Sequence, residues 1–427
     1  VYAIGDGAGR WHELPGCMTR VAQRDDASVS MQRGGTSLDT WVLTDGPVDT
    51  FSMLPARLRV DDLAERRRPV ASRTGENLFW LGRYTERTEQ LVRLARATLS
   101  LIDADSDADV PALKALSAAA VNAGLAPPGV PGLHQAPHLF ERAVLGAMAD
   151  PHGAHAPSIG FNLACLARSS QALRERLSAE QWGLIRTMGD AFAQALAPLP
   201  PAPWATGVQP DAAGPAGAGG AGAARPSSAA PAALPHLPQV LHALEALGIQ
   251  LAAVTGMQTD RMTRDHGWRL LAVGRLLERL SGQAARLQTF LSSRALNHAA
   301  GIDLVLDLFD STITFRARYQ RREDLLALVD LLVLDTSNPR AFGGVLRRLR
   351  TELGKLPGGD LQISPLLALL PAEGAGLALE DLRGLDDAQI EARLLTLATD
   401  LGQAAAALSD RIGERYFTLA HGALQAV

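Results

Sequence analysis

The amino-acid sequence predicts a mainly α-helical protein, a duplicated helical bundle of two related halves that follows a small β-rich segment. Three observations predict this fold. Only 5% of the 427 residues are aromatic while Ala and Leu are abundant, a balance that favours helices over sheets. From Ser72 onward, apolar residues recur at helical spacing. One six-residue motif also occurs twice in the helical region, which indicates two related halves.

Residues 1–60 form the β-rich segment. It contains short runs of β-type residues separated by turn sequences, at 1–4, 19–22, 28–31 and 40–43. So few strands bury too little apolar surface to fold alone. We therefore expect this segment to complete a domain whose other part lies upstream, and a connector over 61–71 to join it to the helices.

The helical region is interrupted by a stretch of low complexity. Residues 198–238 are mainly Ala, Pro and Gly, which predicts a flexible linker or a disordered insertion. The first helical half is then 72–197 and the second is 239–427. Apolar periodicity predicts helices at about 74–102, 110–123, 137–149, 158–177, 178–196, 238–262, 265–294, 302–320, 322–335, 339–354 and 386–419.

The repeated motif is Gly-Arg-x-x-Glu-Arg, at 82–87 in the first half and 274–279 in the second. On a helix its two arginines are neighbours four positions apart, and their like charges repel unless acids or anions bridge them. Arg87 also lies in line with an apolar stripe. We therefore expect Arg87 to be partly buried and to need a partner of opposite charge.

Two interpretations of the motif follow. In the structural one, Arg87 pairs with Glu278 and Glu86 pairs with Arg279 across a pseudo-twofold axis between the halves. In the functional one, the arginines bind a carboxylate or phosphate of a ligand. The structural interpretation is favoured because buried Arg–Glu networks are common register devices. The candidate residues for either role are Arg83, Glu86, Arg87, Arg264, Arg275, Glu278 and Arg279.

Capping residues predict two helix starts in the second half. Asp265 precedes the helix that carries the second motif and is expected to be its N-cap. The tripeptide Ser-Asn-Pro at 337–339 is typical of an N-cap followed by proline at the first helical position.

Composition excludes several function classes. The net charge is −4, so no overall field draws the protein to nucleic acid or to anionic lipid. No apolar run approaches the roughly 20 residues of a membrane helix, so neither a nucleic-acid partner nor a membrane is expected. Cys17 and Cys165 are far apart, which indicates a reducing compartment such as the cytoplasm. Four histidines lie in Pro- and Gly-rich stretches, so no metal site is expected.

Parts of the sequence resemble known bacterial families. Residues 72–87, residues 264–268 and the second motif resemble the alpha-E domain family. Residues 1–45 resemble the end of circularly permuted type 2 ATP-grasp domains. The matching pieces in that segment are 1–7, 14–16, 19–22, 34–35 and 39–43.

The resemblance to ATP-grasp domains implies a function for the intact protein. It would be an ATP-dependent carboxylate–amine ligase of peptide type that uses ATP and Mg²⁺. Most ATP and magnesium ligands would belong to an upstream ATP-grasp domain, so this chain alone is not expected to bind either well. The residues implied to approach the nucleotide are Arg20, Gly34, Gly35 and Asp39.

The resemblance leaves the role of the helical part open. One role is to present a peptide or protein substrate to the ligase, and another is to hold subunits together in a homo-oligomer. The alternative is a non-catalytic structural or oligomerisation module. A third possibility is an independent catalytic bundle that uses its Arg and Glu clusters.

Overall fold

The computed structural model of the protein describes residues 2–5, 9–13, 16–22, 36–43, 45–47, 70–103, 109–148, 150–152, 157–197, 235–320, 324–371 and 375–417. The chain divides into two compact units, Val1–Arg68 and Pro69–Val427. The predicted linker lies outside the described residues as far as 234, and the predicted connector lies outside them as far as 69.

The first unit contains two antiparallel strand pairs. They are β1 (Ala3–Gly5) with β2 (Trp11–Glu13), and β3 (Gly16–Val21) with β4 (Thr36–Trp41). None of these strand residues is buried. Trp11 and Trp41 are 72% and 85% exposed. A two-stranded ribbon is marginally stable in water on its own, and the described strands of this unit have no packed core around them.

The second unit is helical throughout its described part. Its α-helices are α1 (Ser72–Asp103), α2 (Val110–Asn122), α3 (Pro137–Met148), α4 (Ile159–Gln171), α5 (Ala179–Ala195), α6 (Leu237–Asp260), α7 (His266–Ser292), α8 (Ala299–Leu308), α9 (Thr312–Tyr319), α10 (Leu325–Val329), α11 (Phe342–Leu353), α12 (Asp360–Leu367) and α13 (Asp387–Tyr416). A π-helical turn at Asp330–Leu334 extends α10. Short 3₁₀ turns occupy Arg174–Arg176, Ala295–Asn297 and Leu379–Leu382.

The bundle is organised around α1 and α7, which pack against each other. α1 also packs against α4 and α6, and α7 packs against α11 and α13. Both helices contribute side chains that are fully enclosed, among them Leu81 and Leu94 of α1 and Phe290 of α7. These two helices carry the two copies of the repeated motif, so the fold brings the motifs to the centre of the unit.

One predicted helix start is confirmed and one is wrong. Asp265 is the N-cap of α7, since its Oδ1 accepts a hydrogen bond from the backbone N–H three residues on at 2.9 Å. The segment 337–339 does not start a helix, because α11 begins at Phe342. Asn338 is instead buried in a turn, where its Oδ1 accepts from the Arg340 backbone N–H at 2.9 Å.

The single helix predicted at 302–320 is also wrong, since two helices, α8 and α9, occupy this stretch. Asp310 separates them with a φ of 53°, and the Ser311 backbone N–H turns back to the Leu306 carbonyl at 2.9 Å. Aspartate enters the left-handed region more readily than most residues. The helix therefore ends without the glycine that would have marked its end in the sequence.

α6 is long and apolar enough to cross a membrane by length and composition, alone among the described helices. This finding corrects the expectation that no apolar run reaches that length. A single helix of this kind is weak evidence for a membrane span. Its buried residues recur every three or four positions, as with Val240, Leu244, Leu247 and Leu251, and the helix packs against α1 and α5. That stripe is typical of a helix in a bundle.

Candidate functional site

The two copies of the motif meet where α1 and α7 cross. A Cβ on Gly82 would lie 2.1 Å from the Leu271 carbonyl oxygen, and a Cβ on Gly274 would lie 2.3 Å from the Phe79 carbonyl oxygen. Any other residue at either position would overlap the backbone of the facing helix. Glycine is therefore what allows the two backbones to approach this closely.

Glu278 of α7 is bound by two arginines of α1. Arg87 donates from Nε to Oε1 at 2.6 Å and from Nη2 to Oε2 at 2.9 Å. Arg83 donates from Nε to Oε2 at 2.7 Å, and its Nη1 donates to the Ser409 hydroxyl of α13 at 2.7 Å. One carboxylate thus accepts three hydrogen bonds from two guanidinium groups.

Glu86 of α1 is bound in the same way by two arginines of α7. Arg279 donates from Nε to Oε1 at 2.7 Å and from Nη2 to Oε2 at 2.6 Å. Arg275 donates from Nε to Oε2 at 3.0 Å. The contacts of the two motifs are therefore reciprocal, and both cross-pairs of the structural interpretation are present. We refer to Arg83, Glu86, Arg87, Arg275, Glu278 and Arg279 together as the clasp.

Both clasp carboxylates are withdrawn from solvent. The Glu86 side chain is 0% exposed and the Glu278 side chain 11% exposed. Burial alone would raise the pKa of Glu86, but Arg279 and Arg275 outweigh it and hold that pKa far below its usual range. Burial is likewise outweighed at Glu278 by Arg87 and Arg83, which lower its pKa. Both carboxylates are therefore ionised at neutral pH, and neither holds a proton to donate as a general acid.

Arg264 does not join the clasp, which corrects its inclusion among the candidate residues. Its guanidinium carbon lies 5.2 Å from the centre of the Trp268 ring, and the residue is exposed. Arg264 precedes the start of α7, so the helical periodicity that places the motif residues together does not extend to it.

Residues outside the motif extend the clasp. Glu89 accepts hydrogen bonds from Arg275 Nη2 at 3.1 Å and from Arg340 Nη2 at 2.7 Å. Gln90 donates from Nε2 to Glu86 Oε1 at 3.4 Å. Glu89 lies three positions after Glu86, a helical spacing that could have revealed it. Arg340 gives no such signal, because it lies in the turn before α11.

The helical unit is the part of the chain that matches a known protein family. The model of the Alpha-E family, described as a predicted alpha-helical domain with a conserved ER motif, matches residues 70–417. The chain belongs to the Alpha-E family. Its clasp contains two Glu-Arg pairs, at 86–87 and 278–279. Glu-Arg is ER in one-letter code, the motif that the description of Alpha-E names.

Curated relatives of this Alpha-E protein occur in mycobacteria. It is 26% identical over 304 residues to the uncharacterized protein Rv2567 of Mycobacterium tuberculosis (strain H37Rv) and 25% identical over 304 residues to the uncharacterized protein Mb2597 of Mycobacterium bovis. Each match covers 66% of this chain and 30% of the relative. The chain therefore spans about a third of the length of the curated relatives it matches. No solved structure matches the chain.

The nucleotide-site candidates of the Alpha-E protein lie in its first unit. Arg20 on β3 pairs in register with Ser37 on β4, and Met18 pairs with Asp39. Arg20 and Asp39 are therefore diagonal neighbours on one face of the ribbon, and both are exposed. The other two candidates, Gly34 and Gly35, lie outside the described residues.

Metal binding would need several His, Cys, Asp or Glu side chains placed together in the part of the chain that the structure describes. Over that part of the chain, no group of three or more His, Cys, Asp or Glu residues is placed to hold a metal ion. Cys165 is buried and Cys17 is half-buried, and both are free thiols.

Proposed function

We propose that this chain is the helical, accessory part of an ATP-dependent carboxylate–amine ligase of peptide type that works in the cytoplasm. ATP and Mg²⁺ would bind to an upstream ATP-grasp domain, which Arg20 and Asp39 of the first unit would adjoin. The helical unit would present a peptide or protein substrate, or hold subunits together, and would not carry out the chemistry itself.

The clasp is the observation that supports an accessory role most directly. Catalysis by a carboxylate needs an oxygen that is free to take or give a proton, or to attack a substrate. Both clasp carboxylates already accept from two guanidinium groups each. Replacing those partners by a substrate would leave buried charges unpaired, which costs several kcal/mol. The clasp therefore fits a device that fixes α1 against α7 better than a catalytic centre.

Three further observations support an upstream partner domain. Residues 1–45 resemble the end of an ATP-grasp domain, and the chain spans only 30% of the length of its curated relatives. Trp11 and Trp41 are also largely exposed. Large exposed apolar side chains of this kind are typical of surfaces that another domain covers.

The second candidate function is a purely structural or oligomerisation module. The reciprocal clasp and the close crossing of α1 and α7 at Gly82 and Gly274 favour it as much as they favour an accessory ligase domain. Either function would make use of a rigid helix pair. The two candidates differ only in whether the protein with its native upstream sequence has ligase activity.

ADP release tests the proposal. The protein with its native upstream sequence and the present chain would be supplied with ATP, Mg²⁺, a carboxylate peptide and a set of amine acceptors. We expect ADP release from the longer protein alone, and only with both substrates present. Turnover by the present chain would place the chemistry in the helical unit and contradict the proposal. Inactivity of both forms, with a stable oligomer by light scattering, would favour the structural module.

A further inference from the structure

Arg286 on α7 is a buried cation without a counter-ion. The residue is 7% exposed, and no carboxylate of the described residues lies within ion-pair distance of it. Its hydrogen bond in the described structure runs from Nη2 to the neutral amide oxygen Oε1 of Gln90 at 3.1 Å. A buried charge without an opposite partner is strongly destabilising. Side chains of this kind are retained when they serve a purpose other than stability.

The neighbouring carboxylates cannot neutralise Arg286. Glu86 and Glu278 are already bound by the four clasp arginines. Burial, with a smaller effect of the positive Arg93, lowers the pKa of Arg286 to about 10 against the opposing effects of Glu86 and Glu278. That pKa is still well above neutrality, so the guanidinium is charged at physiological pH. The interior of the unit therefore keeps an uncompensated positive charge beside the clasp.

Gln90 positions the Arg286 guanidinium by accepting its hydrogen bond. Gln90 reaches α7 at Gly282, where a Cβ would lie 1.9 Å from Gln90 Oε1. The same amide donates from Nε2 to the Glu278 carbonyl oxygen at 3.3 Å. Gln90 is thus held by α7 from two sides and orients Arg286.

Eight positions after the motif glutamate, α1 has the buried Leu94 where α7 has Arg286, so an apolar side chain suffices at the matching place in α1.

A cavity of about 240 Å³ opens beside Arg286, between α1, α2 and α7. Arg286 and Arg87 contribute its positive charge, and Glu278 contributes a carboxylate that the clasp already engages. Part of its wall is apolar, from Leu91, Ala119, Ala123, Pro157 and Ala285. Pro157 and Ala285 are exposed, so the cavity is accessible from solvent. Its volume is below the roughly 300–1,000 Å³ of sites for drug-sized ligands.

We propose that this cavity binds the carboxylate of an amino-acid-sized molecule, either a free amino acid or the C-terminal residue of a peptide, with Arg286 as the carboxylate-binding residue. A guanidinium offers two parallel N–H donors that match the two oxygens of a carboxylate. One uncompensated guanidinium balances a single negative charge. The Glu278 carboxylate in the wall repels a doubly charged phosphate more strongly, and the apolar wall suits a small side chain. Binding does not depend on the proposed function, but if that function is right the ligand is a ligase substrate.

Calorimetric titration of the present chain without ATP tests the pocket separately from ligase activity. The probes are N-acetyl-L-alanine, which imitates a peptide C-terminus, L-alanine, the neutral N-acetyl-L-alanine amide and inorganic phosphate. We expect one of the two carboxylates to bind at millimolar concentration and the amide not to bind. The acetylated probe identifies a peptide end as the ligand, and L-alanine identifies a free amino acid. No binding of either carboxylate, equal binding of the amide, or preference for phosphate would overturn the proposal.

Three variants locate the binding. Arg286→Met removes the charge at similar length and should weaken carboxylate binding at least tenfold while the melting temperature stays the same or rises. Ala285→Phe fills the cavity from its exposed rim and should have the same effect on binding without touching Arg286. Arg393→Met removes an exposed arginine of α13 and should leave binding unchanged. Unaltered affinity in both cavity variants would show that the ligand binds elsewhere and that Arg286 has no binding role.

Discussion

At the scale of residues, the clasp is a buried ionic cluster that depends on complete pairing. Each glutamate accepts from two arginines, and the geometry is bidentate for Arg87 and for Arg279. Such a cluster contributes little net stability compared with apolar side chains of the same volume, because both partners lose their hydration. Removing one member is different, since the remaining charges stay buried without a partner.

Glu86→Gln therefore tests the clasp at its most enclosed point. The substitution keeps the shape of the side chain but leaves Arg279 without a negative partner in the interior and Arg275 with Glu89 alone. We expect a loss of about 3–5 kcal/mol in the free energy of unfolding, measured by urea denaturation followed by circular dichroism. Glu278→Gln should cost less, because the Glu278 side chain is 11% exposed. The exposed Glu380 supplies the control, and Glu380→Gln should change stability by less than about 0.5 kcal/mol.

The sequence predicts those clasp residues whose positions follow from helical periodicity. It misses residues whose positions depend on a turn. The spacing within 82–87 and 274–279 places the motif arginines and glutamates on one face of each helix, and the repeat suggests which helices face each other. Arg340 could not be found this way, since its position depends on the turn before α11. Arg286 shares the helical face of the motif, yet its lack of a counter-ion follows only from the packed structure.

At the scale of elements, the crossing of α1 and α7 is set by glycine on both sides. Gly82 and Gly274 each lie against a backbone carbonyl of the other helix. The close approach brings side chains of opposite motifs within hydrogen-bond distance, so the glycines and the clasp form one arrangement. Glycine within a helix is unfavourable by about 0.5–1 kcal/mol relative to alanine. The contact across the crossing is what compensates for it.

Gly82→Ala and Gly274→Ala should each destabilise the helical unit despite the better helix propensity of alanine. The added methyl group would overlap a carbonyl oxygen, so the helices would have to move apart. Overpacking of a protein core costs about 1–3 kcal/mol. Gly256→Ala in α6 is the matched control, since a Cβ there meets no atom within 4 Å. It should stabilise by about 0.5–1 kcal/mol. Equal thermal shifts of all three variants would show that the crossing does not require glycine.

Element boundaries show where sequence reasoning fails. The break between α8 and α9 depends on Asp310, whose backbone is in the left-handed region. A sequence signals such a helix end clearly when the residue is glycine, but not when it is aspartate. α12 is absent from the predicted helices. Pro365 lies inside it, and proline usually ends a helix. The long helices α1, α7 and α13 were predicted within a few residues, because many turns of apolar periodicity define each of them.

At the scale of the whole molecule, the clasp places ionised groups at the centre of the helical unit. The pKa values of Glu86 and Glu278 are lowered in the folded state, since the arginines outweigh burial. In the unfolded chain these glutamates titrate near their ordinary value of about 4.3. A lowered folded-state pKa means that the folded chain binds fewer protons, so stability falls as the pH falls. The clasp contribution is fully present above about pH 5 and is lost progressively below it.

Acid unfolding measures this contribution through a difference between variants. The free energy of unfolding would be determined by urea denaturation from neutral pH down to about pH 3, for the wild-type chain and for Glu86→Gln. Other carboxylates with lowered pKa values, such as Asp265 and Asp335, destabilise both proteins equally on acidification and cancel in the difference. We expect the advantage of the wild-type chain to be constant above about pH 5 and to shrink below it, because the amide that replaces the carboxylate in the variant has no proton to gain. Glu278→Gln should show the same trend. A difference that stays constant across the whole range would mean that Glu86 titrates alike in the folded and unfolded chains, and that the clasp arginines do not hold its charge.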